Sequence, residues 1–356
     1  MSELLLAFLM QISAAATQPA EATLLFAGDA MMHSAQIDAA RRSDGSYDFE
    51  PCFKPLKEYI ESADYAVVNL ETPLGGAPYC GYPCFSAPDS YAVALSDAGF
   101  DMMLTANNHT LDKRDRGLKR TIATLDKLGI THIGTYNDAA SRHQLVPYIE
   151  TVNGFRIAFL NYTYGTNGIS VSGDAVVNYI NRDKIRADIE AARRDNAEIV
   201  TVCIHWGTEY TLTPDDSQRS LAQFLIDRGA DIIIGGHPHV IQPLKMVEKE
   251  NPDGTKHNVY LCYSLGNFIS NMKTDNTRGG ALTTVTLKRD KDGKAVVDGA
   301  EYRLIYVLPA SEGRSNFAVY PAESDMPSGW SARRDRFVTN ATNIFDKYNI
   351  NVSRTQ

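Results

Sequence analysis

Ile233-Ile234-Gly235-Gly236-His237-Pro238-His239 is an apolar β-like run that ends on two glycines and then presents two imidazoles separated by one residue. Imidazoles bind borderline metals well, so two of them held by one Gly-rich turn can face a common metal cluster. The same arrangement recurs upstream. Phe26-Ala27-Gly28-Asp29 ends a run on a carboxylate, and Val67-Val68-Asn69-Leu70-Glu71 delivers a second one. Thr105-Ala106-Asn107-Asn108-His109 places an amide and an imidazole after a third run, and Thr201-Val202-Cys203-Ile204-His205-Trp206-Gly207 ends a fourth on His205, with Gly207, Glu209 and Tyr210 close behind. Taken singly, Asp29 reads as a helix N-cap, Glu71 as a solvated side chain and Asn108 as a hydrogen-bonded turn. Their common position at run ends is what makes them a set.

Outward from these blocks, the pattern predicts strands at 23–27, 65–70, 102–105, 156–162, 199–204, 232–234 and 259–263. Helical spacing of apolar residues covers 54–61, 115–128, 183–196 and 218–228; Leu118, Ile122, Leu125 and Leu128 form one such stripe. Strands alternating with helices predict an α/β fold with parallel strands and helical crossovers. Residues 281–289 and 294–306 alternate apolar and polar positions around Lys291-Asp292-Gly293, a hairpin signal, and 332–348 reads as a helix. With no internal repeat or Pro/Ser-rich linker, the expected division is a signal peptide at 1–20, one domain at 21–310 and a C-terminal extension with a helix at 311–356.

Composition narrows the partners. The 356 residues are 44% hydrophobic and 22% charged, an ordinary globular balance. A formal charge of −8, from 35 Lys and Arg against 43 Asp and Glu, disfavours nucleic acid, whose nonspecific binding draws on clustered cationic charge. Leu4 to Met10, followed by Ala14-Ala15-Ala16, resembles the apolar core and cleavage site of a secretory leader, although Glu3 stands where basic residues are usual. Export to the cell envelope or periplasm is the expectation, with a cytoplasmic protein as the alternative; any membrane association would come from this segment or a partner. In an exported chain, Cys80 and Cys84, flanked by turn residues, read first as a local disulfide and second as free thiols or a soft-metal clip. Cys203 and Cys262 lie in apolar runs and read as small core residues.

Asp29, Glu71, Asn108, His205, His237 and His239 supply six ligands, too many for one tetrahedral ion. Two divalent metals (Mn, Zn, Fe or Mg) sharing a carboxylate fit better, and such a pair activates water and stabilises developing negative charge. The charge that a substrate meets is then set by the metals and by Lys113, Arg114 and Arg116, residues that otherwise read as a solvated helix start.

At these residues the chain resembles the CapA family of capsule and poly-γ-glutamate synthesis proteins, within the calcineurin-like metallophosphoesterase superfamily. The resemblance runs through Gly28-Asp29, Asn69-Leu70-Glu71, Asn107-Asn108-His109 with Leu111-Asp112, His205-Trp206-Gly207 with Glu209-Tyr210, Gly236-His237-Pro238-His239-Val240 and Tyr263-Ser264-Leu265-Gly266-Asn267-Phe268. It implies a four-layer α/β/β/α sandwich. It also implies that Asp29 and His239 hold a first metal, that Asn108, His205 and His237 hold a second, and that Glu71 bridges them where the superfamily has Asp. His109 would be the acid/base and Asp112 its orienting partner, with Glu209, Asn267 and Arg114 contacting substrate.

One departure bears on activity. The superfamily pattern has His two residues after the first Asp, whereas Met31 stands there, with His33 the nearest imidazole that could fold back. The implied function is a metal-dependent hydrolase or transferase using metal-activated water on an acidic polymer, a phosphorylated group or a peptide. The alternatives are a noncatalytic envelope protein that binds the polymer or a membrane synthase partner, and a metal-dependent peptide-modifying enzyme.

Overall fold

A computed structural model describes residues 21–250, 254–311 and 314–355. The expected leader at 1–20 lies outside the described residues, and among them no helix is long and apolar enough to cross a membrane. Two sheets form the body. The larger orders its main path as Ala318–Pro321, Ala295–Leu308, Gly279–Arg289, Glu21–Ala30, Tyr65–Leu70, Met102–Leu104 and Thr131–Ile133; Asn267–Ile269 and Ser353–Arg354 pair off this path. The smaller runs Leu244–Glu250, Lys256–Cys262, Ile232–Gly236, Ile199–His205, Phe155–Thr163 and Tyr148–Val152. Glu21–Ala30, Tyr65–Leu70, Met102–Leu104 and Thr131–Ile133 are mutually parallel. So are the four central strands of the smaller sheet.

Side-chain alternation assigns the layers. Leu24 and Phe26 point into a core between the sheets, while Leu25 and Ala27 point to an outer core shared with helices Ser34–Ala40, Glu50–Phe53, Lys57–Glu61 and Asp89–Asp97. In the smaller sheet, Ile199 and Cys203 join the inter-sheet core, and Val200, Val202 and Ile204 pack on helices Arg182–Arg194 and Asp216–Arg228. The result is an α/β/β/α sandwich, in which each fully buried Phe or Leu contributes about 1.5–3 kcal/mol. The C-terminal stretch packs into the same body. Strand Ala318–Pro321 extends the larger sheet, and Phe337, Ala341 and Phe345 of helix Ser331–Tyr348 enter the inter-sheet core.

Two expectations change. The helix read at 54–61 is a 3-10 turn at Lys54–Leu56 followed by Lys57–Glu61, with a separate short helix Glu50–Phe53 before it, because Pro55 lacks the N–H that would join them into one helix. Cys80 and Cys84 are free thiols, not a disulfide. The Cys80 thiol donates to the Cys84 carbonyl at 2.9 Å and accepts from Lys113 Nζ at 3.0 Å, while Cys84 is exposed.

Candidate metal centre

The parallel strands of both sheets end at one place. Asp29 is the penultimate residue of strand Glu21–Ala30, Glu71 follows Tyr65–Leu70, and Asn108 and His109 follow Met102–Leu104, all from the larger sheet. His205 ends Ile199–His205, while His237 and His239 follow Ile232–Gly236, all from the smaller sheet. One sheet thus brings carboxylates and an amide, and the other brings three imidazoles. Close approach demands the glycines here: a Cβ on Gly28 would sit 1.9 Å from the Gly266 carbonyl oxygen, and one on Gly236 would sit 2.8 Å from Asp29 Oδ1. His237 and His239 both adopt left-handed backbone, with φ +98° and +56°. That conformation costs a non-glycine residue roughly 1–3 kcal/mol and persists where the surroundings enforce it.

Asp29 is the hub. Its Oδ1 accepts from Asn69 Nδ2 at 2.8 Å; its Oδ2 accepts from the His237 N–H at 3.2 Å and lies 3.2 Å from His239 Nδ1. Glu71 Oε1 lies 3.6 Å from His205 Nε2 and 3.8 Å from His239 Nε2. His205 Nε2 is also 3.0 Å from Asn108 Oδ1. Ligand atoms of Asp29, Glu71 and His239 all fall within 4.8 Å of one another, as do those of Glu71, His205 and His237. The two triads share Glu71.

Burial sets the charge states. Burial and then the Asp29 charge push the Glu71 carboxyl well above its ordinary range. Burial opposes ionisation of Asp29 too, but the His239 hydrogen bond and the His239 and His205 charges outweigh it and hold that carboxyl below the usual range. Burial, aided by the His237 charge, depresses His205 well below its ordinary value, and burial brings His237 down to about 4. Both imidazoles are therefore neutral near pH 7, the form that offers a lone pair to a metal.

A divalent cation fits these residues. Both Glu71 oxygens and His237 Nδ1 are buried without a hydrogen-bond partner, a state native proteins rarely leave uncompensated. Asp29, Glu71 and His239 could hold one ion, and Glu71, His205 and His237 a second beside Asn108 Oδ1.

The other predicted residues fall into distinct places. His109 Nδ1 lies 2.8 Å from Asp112 Oδ2, which also accepts from the Phe85 N–H at 2.7 Å, and the Phe85 ring meets the His109 ring edge-on at 4.5 Å. Glu209 is exposed, and its carboxylate comes within 4.8 Å of the His237 and His239 nitrogens, in a third possible ligand group. The Tyr210 N–H donates to the Pro238 carbonyl at 2.8 Å, tying the Glu209 loop to the His-Pro-His turn. Asn267 is fully buried: its Oδ1 lies 3.0 Å from His239 Nδ1 and its Nδ2 donates to the Thr277 carbonyl at 2.8 Å, so it orients an imidazole and faces no solvent. Ser264 is equally buried and donates to the Val240 carbonyl. Arg114 is exposed at the start of its helix. His33 does not replace the imidazole missing at Met31: its Nδ1 accepts from the Asn271 N–H at 3.2 Å and lies 3.3 Å from Gln36 Oε1.

Two site residues escaped sequence reasoning. Tyr164 packs on His237 with ring centroids 4.6 Å apart and lies nearly parallel to His205 at 6.3 Å. Asn161 accepts the Ala106 N–H at 2.8 Å and donates to the Cys203 carbonyl at 3.3 Å, joining the two sheets beneath the centre. An Asn inside the apolar run Arg156–Tyr162 was the available signal.

Comparisons with known proteins identify the family and the fold. A family model described as bacterial capsule synthesis protein PGA_cap matches residues 23–272. The capsule biosynthesis protein CapA of Bacillus anthracis is 29% identical over 287 residues, covering 78% of this chain and 66% of that protein. The PGA biosynthesis protein CapA of Bacillus subtilis is 30% identical over 283 residues, covering 76% and 68%. The matches thus span about two thirds of these relatives' lengths. Among solved structures, the NAD nucleotidase NadN of Haemophilus influenzae superposes with a TM-score of 0.50 and 13% identity, covering 94% of this chain and 64% of that one, a likeness of fold. With the predicted motif blocks meeting at one centre and the family model spanning that centre, the chain belongs to the CapA-type bacterial capsule synthesis family, on a calcineurin-like metallophosphoesterase fold.

Proposed function

We propose that this chain is a metal-dependent hydrolase or transferase that processes an acidic envelope polymer of the poly-γ-glutamate kind, in an exported location. The observation that carries the reading is Glu71, a fully buried carboxylate with no hydrogen-bond partner on either oxygen, facing His205 and His239. A cation held there would compensate the buried charge that otherwise drives this carboxyl toward its protonated form. When bound, a divalent metal here supplies Lewis acidity for activating water and for stabilising negative charge.

The chain's own residues supply positioning and proton transfer. Asp112 accepts from His109 Nδ1, fixing the tautomer and leaving Nε2 to exchange a proton with the leaving group. The Phe85 N–H holds Asp112 and the Phe85 ring restricts His109, so the pair is set before substrate arrives. Tyr164 covers one side of the imidazole cluster. Phosphorylated and peptide substrates are the other bonds this chemistry reaches.

Met31 favours a second reading, a noncatalytic protein that binds the polymer or a membrane synthase. Met31 is buried and His33 is engaged with Asn271, so the first ion has no imidazole from this strand. Elemental analysis of the purified protein, combined with hydrolysis assays on a phosphodiester and on poly-γ-glutamate, separates the two. The hydrolase reading expects bound metal and turnover, both lost in His237→Ala. Background metal content together with no effect of that substitution refutes it, while metal without turnover favours the binding role.

A further inference from the structure

We propose that Arg278, Arg333, Arg336 and Tyr306, gathered at the amino end of helix Ser331–Tyr348, form a subsite for a carboxylate of an acidic polypeptide ligand. This deepens the polymer reading above and rests on it. Arg278 is only 3% exposed, yet its Nε and Nη1 are buried with no hydrogen-bond partner, and the Tyr306 hydroxyl is in the same condition. The Arg278 guanidinium lies over the Trp330 ring at 5.0 Å, and that of Arg333 over the same ring at 5.4 Å.

The nearby carboxylate is already committed. Asp275 accepts from Arg333 Nε at 2.6 Å on one oxygen and from Arg336 Nε at 2.7 Å on the other, so among the described residues Arg278 has no carboxylate hydrogen-bonded to it. The helix adds to the imbalance, since no side chain caps its amino end and no acidic residue stands in its first turn. Its uncompensated N–H groups and dipole favour an anion there. A carboxylate matches the guanidinium fork, and the Tyr306 hydroxyl offers a further donor. The subsite also connects to the metal centre through the chain itself: Asn267, which orients His239, donates to the carbonyl of Thr277, the residue before Arg278.

Trp330 provides the readout. The full-length, metal-replete protein is titrated with a γ-glutamate oligomer of about ten residues, and separately with inorganic phosphate, while tryptophan fluorescence is followed. A saturable change with the oligomer is expected. Trp330→Phe should abolish it, Arg278→Met should weaken apparent affinity at least tenfold, and Arg336→Gln at least threefold. Arg278→Met removes an unpaired buried charge and should unfold at or above the wild-type temperature; if it fails to fold, the exposed Arg336 variant carries the test. Metal content and phosphodiester turnover are measured separately on the wild type and on Arg336→Gln, where both should be equal, so their absence from the wild type bears only on the hydrolase reading. No response to the oligomer, wild-type affinity in the folded Arg278 and Arg336 variants, or a response to phosphate alone overturns the subsite.

Discussion

Replacing Glu71 with Gln should change stability in opposite directions with and without metal. The side chain is fully buried, neither carboxylate oxygen has a partner, and its shape is nearly kept by Gln. An unpaired buried polar group costs roughly 1–3 kcal/mol, and more when charged; Gln keeps the polar atoms but cannot ionise, so in chelator the variant should be more stable by about that amount at a pH where Glu71 would ionise. Unfolding entropy of ~2.1 cal/mol/K per residue gives about 0.7 kcal/mol per degree for a chain of this length. The expected rise in Tm is therefore about 1–4 °C. With metal at about 100 times its Kd, the wild type gains ~2.7 kcal/mol per site, or about 4 °C, and the variant loses most of that gain because Glu71 is shared by both triads. The gap in chelator should also depend on pH. The Glu71 pKa is raised in the folded protein above its ordinary 4.5, so the folded state binds the proton more tightly than the unfolded state. This carboxyl's stabilising contribution is full below pH 4.5 and declines as pH rises toward the folded value, so the variant's advantage should shrink toward pH 4.5. Differential scanning fluorimetry in chelator and in Mn or Zn, at pH 5 and pH 8, reads all of these differences. A Glu71→Gln protein that is less stable than wild type in chelator and equally stabilised by metal would refute the reasoning.

Asp112→Asn should lower kcat about 10²- to 10⁴-fold with unchanged metal content, because it disturbs the His109 tautomer without touching a ligand; steady-state kinetics paired with elemental analysis checks both halves. Asn161→Ala strands the buried Ala106 N–H and Cys203 carbonyl, for an expected loss of roughly 1–3 kcal/mol in denaturant unfolding. Alkylation of the native protein should label Cys84 first and spare the buried Cys52, Cys203 and Cys262, whose thiols burial pushes up. After denaturation without reductant, mass spectrometry should find all five thiols reactive; a count of three would restore the Cys80–Cys84 disulfide.

The clustering of the candidate ligands was legible because each follows an apolar run, a pattern that survives without knowledge of pairing. Strand Tyr65–Leu70 and the hairpin strands Gly279–Arg289 and Ala295–Leu308 carried the same kind of local signal. What stayed hidden depends on partners distant in sequence. Asn161 matters because Ala106 and Cys203 converge on it, and Asn267 turned inward because His239 and Thr277 claim its amide. The three-residue strands Thr131–Ile133 and Asn267–Ile269 are too short for periodicity and exist through their neighbours in the sheet. Arg278 gave no signal at all, since an isolated Arg in sequence looks solvated and its burial comes from the tertiary packing of Trp330 and Tyr306 around it.

The division of ligands between the sheets also sets an order in time. Asp29, Glu71 and Asn108 leave the ribosome well before His205, and the last imidazole arrives only with His239. A nascent chain holding the first half alone presents the oxygen donors without any of the three candidate ligand imidazoles, so it lacks the donors that a borderline metal prefers. Once both sheets have docked, an ion held by Asp29, Glu71 and His239 would tie one sheet to the other, which makes the proposed metal a cross-link between halves of the chain made at different times.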